Sequence, residues 1–250
     1  RLVAERRAQM TAMLEQALPD ESPALTVTFG KAFVEIIRHV IRARVDFVVK
    51  AAEPLGGVER FLFASTDQHL VRKCPAAVWL RVAGTPVAPR TVVAAVDVDE
   101  TDAREPETLA ALNRRAVETA IRLATGPEAA VHVLHAWDVA GEALIWSFAS
   151  DGDRHAIARR YAAGVETERR RALDALLRPY RAGMQAGGPR IFARLARGAA
   201  RSVIPEQAEA LSADVIIVGT VARTGLGGVI IGNTAEDVIN SVERSVTTIK

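Results

Sequence analysis

The feature that most constrains the fold of this chain is an internal repeat. When the sequence is compared with itself at an offset of 168 positions, Gly30 falls on Gly198, and the match continues without a gap as far as Val78 and Val246. Four identities lie where such residues have structural roles: Gly30, Asp46, Gly57 and Thr66 in the first copy, with Gly198, Asp214, Gly225 and Thr234 in the second. Self-similarity at one fixed offset indicates that a whole domain has been duplicated.

Each copy alternates between short apolar runs and amphipathic segments. The runs are rich in β-branched residues and continuous, which is typical of strands buried on both faces of a parallel sheet. Between them, apolar residues recur at helical spacing, as at Leu109, Leu112, Ala116, Ala120 and Leu123. The alternation predicts an α/β fold with a doubly wound parallel sheet. The strand candidates are residues 45–49, 77–80, 91–96, 131–134 and 215–218.

The repeat also predicts how the chain divides into domains. A stretch with one glycine and two prolines, residues 84–89, is the best candidate for a linker. We therefore predict that residues 1–83 are the C-terminal part of a first domain and residues 90–250 a second domain. Because the first copy would then start well before Arg1, its opening strand, helix and strand are expected to be missing.

Composition excludes several classes of function. The 32 basic and 30 acidic residues are nearly balanced, so nucleic acid is not an expected partner. No apolar run approaches the roughly 20 residues that a membrane span needs. A single cysteine, Cys74, permits neither an intrachain disulfide nor a cysteine-based zinc site, which favours a cytoplasmic location.

The segment with the strongest chemical signal is a glycine-rich loop in the second copy. A strand is predicted to end at Gly219, four more glycines follow by Gly232, and a helix is predicted to start after Asn233 or Thr234. Glycines let backbone N–H groups approach a ligand, and a helix N-terminus attracts negative charge, so the loop suits an anion such as phosphate. The alternative is purely structural, since Asn233 with Glu236, or Thr234 with Asp237, has the spacing of a capping box. Arg223 would contact phosphate or be merely solvated.

This loop resembles the ATP-binding motif of the universal stress protein family, which reads glycine, two residues, glycine, nine residues, glycine and a small hydroxyl residue. The corresponding residues here are Gly219, Ala222, Gly232 and Asn233. Ala222 and Asn233 depart from the motif, although Thr234 stands beside Asn233. The resemblance implies an ATP site whose phosphates are held by backbone and hydroxyl groups, and the two departures weaken that implication.

Two further segments of the second copy are similar to the same family. Asp97 follows the strand at 93–96 and corresponds to the aspartate that faces the nucleotide, whereas Asp99, Glu100 and Asp102 are expected to form a solvated turn. Ala136 corresponds to the position whose backbone meets adenine. The candidate binding residues are therefore Asp97, Ala136, Gly219, Thr220, Arg223, Gly225, Gly232, Asn233 and Thr234. His132 and His135 fall on opposite faces of a strand, so no metal site is expected.

The first copy lacks the loop glycines. At the repeat offset, Ala51, Pro54 and Ala64 stand at the positions of Gly219, Ala222 and Gly232, which predicts a degenerate site. The segment around residues 64–75 resembles the E-type tandem members of the family. Cys74 there follows two basic residues and would be either a redox sensor or, as we favour, a packed helix-end residue.

No catalytic constellation is visible in the sequence, since His39, His69 and His155 have no recognisable triad context. We therefore expect a non-catalytic stress-response binding protein. By this resemblance, each copy would be a doubly wound parallel sheet of five strands, incomplete at its N-terminal side in the first copy. The two copies would pack as an internal pseudo-dimer, with residues 78–80 and 246–249 as last strands near a local twofold axis, and a homodimer is possible. Two alternatives stay open: a ligand-free interaction protein or binder of a non-ATP ligand, and a weak ATPase or adenylyl transferase.

Overall fold

The computed structural model of the chain describes residues 2–52, 65–101, 103, 105–139, 154–183, 187–220 and 232–250. The chain forms two compact units, Arg1–Val45 and Asp46–Lys250. The first unit contains α1 (Leu2–Ala17) and α2 (Ala32–Ala43). Arg44 is the C-cap of α2; it adopts the left-handed conformation and donates its backbone N–H to the carbonyl of Val40.

The second unit is built on a mixed sheet of seven strands in the described part of the chain. Their order across the sheet is β1-β2-β7-β6-β3-β4-β5, and every neighbouring pair is parallel except β2 and β7. The strands are β1 (Phe47–Ala51), β2 (Ala77–Arg81), β3 (Thr91–Ala95), β4 (Ala130–Trp137), β5 (Arg190–Arg197), β6 (Val215–Gly219) and β7 (Ser245–Ile249).

Helices cover both faces of this sheet. They are α3 (Ser65–Lys73), α4 (Pro106–Leu123), α5 (Arg154–Ala182), α6 (Ala200–Ala210) and α7 (Asn233–Ser241). Helices α4 and α5 pack into one apolar cluster with alternate strand residues such as Val92, Val131 and Ile217. The intervening residues of the strands face the other side, where α6 contacts β4 and α7. The doubly wound parallel arrangement expected from the sequence is therefore confirmed.

The repeat offset reappears in the element boundaries. Strand β6 begins and ends 168 residues after β1, β7 does so after β2, and α7 does so after α3. The second copy supplies the five strands β3 to β7, and the first supplies β1 and β2. Sequence and structure therefore describe the same duplication.

The two copies meet where β2 pairs with β7. The antiparallel register sets Val78 opposite Thr248, Trp79 opposite Thr247 and Leu80 opposite Val246. These are the last strands of their copies, as expected, and their pairing joins two parallel sheets into one continuous sheet.

The segment after β2 is hydrogen-bonded to β7, beside the pairing of the two copies. The hydroxyl of Thr85 donates to the carbonyl of Val82 over 2.7 Å and lies 2.7 Å from the hydroxyl of Ser245 on β7. The backbone N–H of Val82 donates to that Ser245 hydroxyl over 3.1 Å. The start of the stretch predicted as a linker is thus held against the second copy.

Candidate functional site

The chain order of the strands creates a switch point beside β3. From β3 the chain passes through α4 to β4 on one side, and it later returns through α6 to β6 on the other side. Ligands of open α/β sheets bind beyond the carboxyl ends of the strands at such a point. Asp97 follows β3 there, and Gly219 ends β6. Two of the candidate residues named from the sequence therefore lie on adjacent strand ends.

Asp97 is held by its backbone. Its N–H donates to Oδ1 of Asn113 over 3.0 Å, and Nδ2 of the same Asn113 donates to the Asp97 carbonyl over 2.6 Å. Asn113 belongs to α4 and is buried. The Asp97 side chain is 32% exposed, and its Oδ1 accepts a hydrogen bond from the N–H of Asp99 over 3.1 Å.

Asn113 could have been found from the sequence. The buried face of α4 comprises Leu112, Asn113, Ala116, Val117 and Ala120, so Asn113 is an amide within an apolar stripe. A buried amide needs hydrogen-bond partners, and here both come from the backbone of Asp97.

His135 on β4 lies beside the same strand end. Its Nδ1 is 3.2 Å from the carbonyl oxygen of Val96 and 4.0 Å from Oδ1 of Asp97. Burial lowers the pKa of His135, and this outweighs the Val96 carbonyl and the Asp97 charge, which act in the opposite direction. The N–H of Val98 also points at Nδ1, over 3.4 Å, so Nδ1 of the neutral ring either donates to Val96 or accepts from Val98, according to the tautomer. Nε2 has no hydrogen-bond partner among the described residues.

The acidic turn after Asp97 is more tightly held than a solvated turn. Asp99 accepts a hydrogen bond from the N–H of Thr101 over 3.0 Å, which is the expected turn contact. Its Oδ1 also lies 2.8 Å from the guanidinium of Arg169 on α5, a side chain that is only 11% exposed. Asp99 therefore takes part in an ion pair as well as in the turn. Glu100 is exposed, as expected of a solvated turn, and Asp102 lies outside the described residues.

The two ends of the glycine loop are bonded together. Thr220 donates both its N–H (2.9 Å) and its hydroxyl (3.0 Å) to the carbonyl of Ile249, and the N–H of Gly232 donates to the Thr220 carbonyl over 3.1 Å. Because the Thr220 hydroxyl is buried and engaged, it serves the strand end rather than a ligand. Arg223 and Gly225, together with Ala222, lie outside the described residues.

Gly219 has a packing role. A Cβ atom at this position would lie 2.5 Å from Cδ2 and 2.9 Å from Cγ of Leu112 on α4. Absence of a side chain therefore lets α4 approach the end of β6 closely.

Helix α7 starts without the predicted capping box. Gly232 is its N-cap residue, with extended backbone angles, and Asn233 is the first helical residue. Glu236 does not serve as the box partner, since it forms an ion pair with Arg72 of α3. The Asn233 side chain is outside the described residues, and Thr234 is exposed in the first turn.

Ala136 lies in β4, in register with Ala196 of β5 and partly exposed. The register of β3 with β4 sets Ala95 opposite Leu134, which brings Ala136 alongside Asp97 beyond the end of the ladder. The structure therefore groups Asp97, Ala136 and Gly219 at the ends of β3, β4 and β6, respectively.

In the first copy, strand β1 and helix α3 correspond to β6 and α7 of the second copy, and an ion pair joins them. Nζ of Lys50 on β1 lies 2.8 Å from Oδ1 of Asp67 on α3, and Asp67 is fully buried. At the repeat offset these residues correspond to Val218 and Ala235 in the second copy. Ala51 ends β1 where Gly219 ends β6, while Pro54 and Ala64 lie outside the described residues.

His132 is separate from His135. Its ring stacks on Phe192 with centroids 5.0 Å apart, and its Nδ1 accepts a hydrogen bond from Nε of Arg194 over 3.2 Å. Burial, followed by the charge of Arg194, lowers the pKa of His132. Within the described ranges, no group of three or more His, Cys, Asp or Glu residues is arranged to hold a metal ion.

Cys74 is fully buried at the end of α3. Burial raises the pKa of its thiol, which disfavours the reactive thiolate at neutral pH. The packed role expected for Cys74 fits this environment better than the redox role does.

Comparison with known proteins gives one consistent result. The model of the universal stress protein family matches residues 1–81 and 90–250. Universal stress protein E of Salmonella typhi is 29% identical over 246 residues, which are 98% of this chain and 72% of that protein. Universal stress protein E of Escherichia coli K12 is 30% identical over 226 residues, or 90% of this chain and 66% of that protein.

Solved structures agree on the fold. A functionally unknown protein of Pseudomonas aeruginosa superposes with a TM-score of 0.70 at 26% identity, covering 97% of this chain and 77% of that one.

Among the helices of the described ranges, none is long and apolar enough to span a membrane.

Proposed function

Because the chain belongs to the universal stress protein family, in a tandem arrangement, we propose that it is a non-catalytic stress-response binding protein whose second copy binds a nucleotide such as ATP. The observation that carries this proposal is Asp97 itself. Its backbone is fixed by Asn113 at the switch point, while its side chain stays partly exposed. In such a site the Asp97 carboxylate would contact the nucleoside and the backbone of Ala136 would meet the base.

The phosphates would lie against the glycine loop and the start of α7. Gly232 precedes that helix, and Thr234 is exposed in its first turn, so unpaired N–H groups and a hydroxyl are close together. Arg223, Gly225 and Asn233 complete the proposed set. Thr220 would contribute to the phosphate site through its backbone alone, because its hydroxyl already donates to the carbonyl of Ile249.

The domain boundaries belong to the same proposal. We assign residues 1–83 to the C-terminal part of the first domain, residues 84–89 to the linker and residues 90–250 to the second domain. The first domain would not bind nucleotide, since the Lys50–Asp67 pair stands in it where the second copy has Val218 and Ala235. The proposed location is the cytoplasm, where the single buried Cys74 would stay reduced.

The decisive experiment is calorimetric titration of the purified chain with ATP. Asp97→Asn should weaken ATP binding at least tenfold, whereas Glu100→Gln, a charge change on the exposed part of the same turn, should leave the Kd unchanged. Failure to detect binding up to millimolar ATP would sink the nucleotide proposal.

A ligand-free protein, or one that binds a different ligand, is the second candidate. The packing role of Gly219 and the engaged Thr220 hydroxyl favour it, since both explain family-like residues without a nucleotide. An ATPase is the third candidate, because Asp97 and His135 lie 4.0 Å apart. Incubation with ATP and magnesium should give no turnover above background, and turnover lost in Asp97→Asn would establish the enzyme instead.

A further inference from the structure

A groove of about 510 Å³ lies between the N-terminal half of α5 and the ends of β4 and β5. On the strand side it is lined by Trp137 and Arg197, the last residues of those two strands, and by Leu195. Trp137 faces α5, whereas the preceding residue of β4 faces the opposite side of the sheet. The groove is therefore distinct from the nucleotide site proposed at β3 and β6.

The groove exists because the apolar side chains along one face of α5 become smaller toward its N-terminus. Near its C-terminal end that face carries Leu173 and Leu177, both fully buried against the strands. About two and three turns further toward the N-terminus than Arg169, the helix presents Ala162 and Ala158, whose small methyl groups leave space between the helix and the strands among the described residues. A volume of this size lies within the range of small-molecule sites, which is about 300–1,000 Å³.

The groove lining combines a flat apolar surface with positive charge. The Arg197 guanidinium lies over the Trp137 ring, 5.8 Å from its centre, which is within cation–π distance. Arg159 brings a second guanidinium from α5, and Glu166 is the acidic residue of the lining. The alanines on the helix side and the Trp137 ring on the strand side suit a planar ligand, and two arginines recognise carboxylate, sulfonate or phosphate groups.

We propose that this groove binds a small planar organic anion, with its ring against Ala158 and Ala162 and its acidic group between Arg159 and Arg197. The proposal does not depend on nucleotide binding by the second copy. Its ligand class is defined by an aromatic or conjugated ring that carries a single anionic group.

The probe for the test is 1-anilinonaphthalene-8-sulfonate, an aromatic sulfonate whose fluorescence rises on binding. Ala162→Leu fills the groove, and Ala156→Leu is its control at an exposed position of α5 outside the lining. Arg159→Gln removes one charge, and Arg160→Gln is its control on the neighbouring exposed residue. Circular dichroism and thermal unfolding of each variant separate loss of the groove from loss of the fold.

We expect Ala162→Leu and Arg159→Gln each to weaken probe binding at least tenfold, with both controls unchanged. Naphthalene-2-sulfonate should displace the probe, whereas neutral 2-naphthol should need at least ten times the concentration. Equal binding by all four folded variants, or equal displacement by the neutral compound, would overturn the proposal. Titration of Ala162→Leu with ATP tests the nucleotide site separately, and its affinity should equal that of the wild type.

Discussion

Trp79 lies directly opposite Thr247 in the antiparallel pairing of β2 with β7, and these two residues are equivalent positions of the two copies. The local twofold axis therefore passes between them, as it would pass between identical residues in a symmetric dimer. Each of the two also carries a buried polar atom, Nε1 of Trp79 and Oγ1 of Thr247, that has no hydrogen-bond partner within the described residues.

Thr247→Val should stabilise the protein. The substitution keeps the shape of the side chain and removes a buried hydroxyl that has no bond to lose, so we expect the free energy of unfolding to rise by about 1 kcal/mol. Thr220→Val is the contrasting variant, because its hydroxyl donates to Ile249 and its loss should cost about 1–3 kcal/mol. Urea unfolding measures both, and a Thr247→Val variant as destabilised as Thr220→Val would refute the prediction.

Gly219→Ala should destabilise the protein, because the added methyl group would clash with Leu112 of α4. The added Cβ would come within 2.5 Å of Leu112, so the helix or the side chain must move, at a cost of about 1–3 kcal/mol. Shortening Leu112 to Ala relieves that clash. In a double-mutant cycle we expect Gly219→Ala to cost at least about 1 kcal/mol less in the Leu112→Ala background. Strict additivity of the two substitutions would show that the glycine has another role.

The Lys50–Asp67 pair can be tested against the residues that replace it in the second copy. Asp67→Ala alone removes a buried carboxylate and leaves the Lys50 charge without this partner, which should cost about 3–5 kcal/mol. The double variant Lys50→Val with Asp67→Ala reproduces Val218 and Ala235, and it should unfold within about 1 kcal/mol of the wild type. A double variant as unstable as the single one would mean that the ion pair itself is required.

Acid should weaken the fold through two buried histidines. The pKa values of His132 and His135 are lowered from 6.5, so near that pH the unfolded chain binds more protons than the native chain does. Their contribution to stability is complete above pH 6.5 and is lost as the pH falls. The free energy of unfolding should therefore rise from pH 5 to pH 7, less steeply in His135→Gln, with exposed His155→Gln as control. Stability that falls over this range would contradict the assignment.

Much of the architecture was predictable because the repeat and the apolar runs report on long-range organisation. The offset that aligns Gly30 with Gly198 also aligns the boundaries of β1 with those of β6, and the predicted last strands do meet. Local contacts were less predictable, since they depend on which elements become neighbours. The Asp99 ion pair needs Arg169, which is 70 positions further along the chain, and the need for glycine at 219 depends on Leu112.

Asn113 offers the sharpest link between the fold and the proposed site. Its amide both accepts from the Asp97 N–H and donates to the Asp97 carbonyl, so no apolar residue can replace it without leaving two backbone groups unpaired. Asn113→Leu should therefore cost about 2–4 kcal/mol of unfolding free energy. Asn113→Asp keeps the acceptor but at neutral pH sets a buried carboxylate oxygen against the Asp97 carbonyl, so it should cost at least as much. If Asp97 contacts a nucleotide, ATP affinity measured on folded Asn113→Asp should fall while that of Glu100→Gln stays unchanged. Unchanged affinity in both variants, with Asn113→Asp destabilised, would show that Asn113 supports the fold without positioning Asp97 for a ligand.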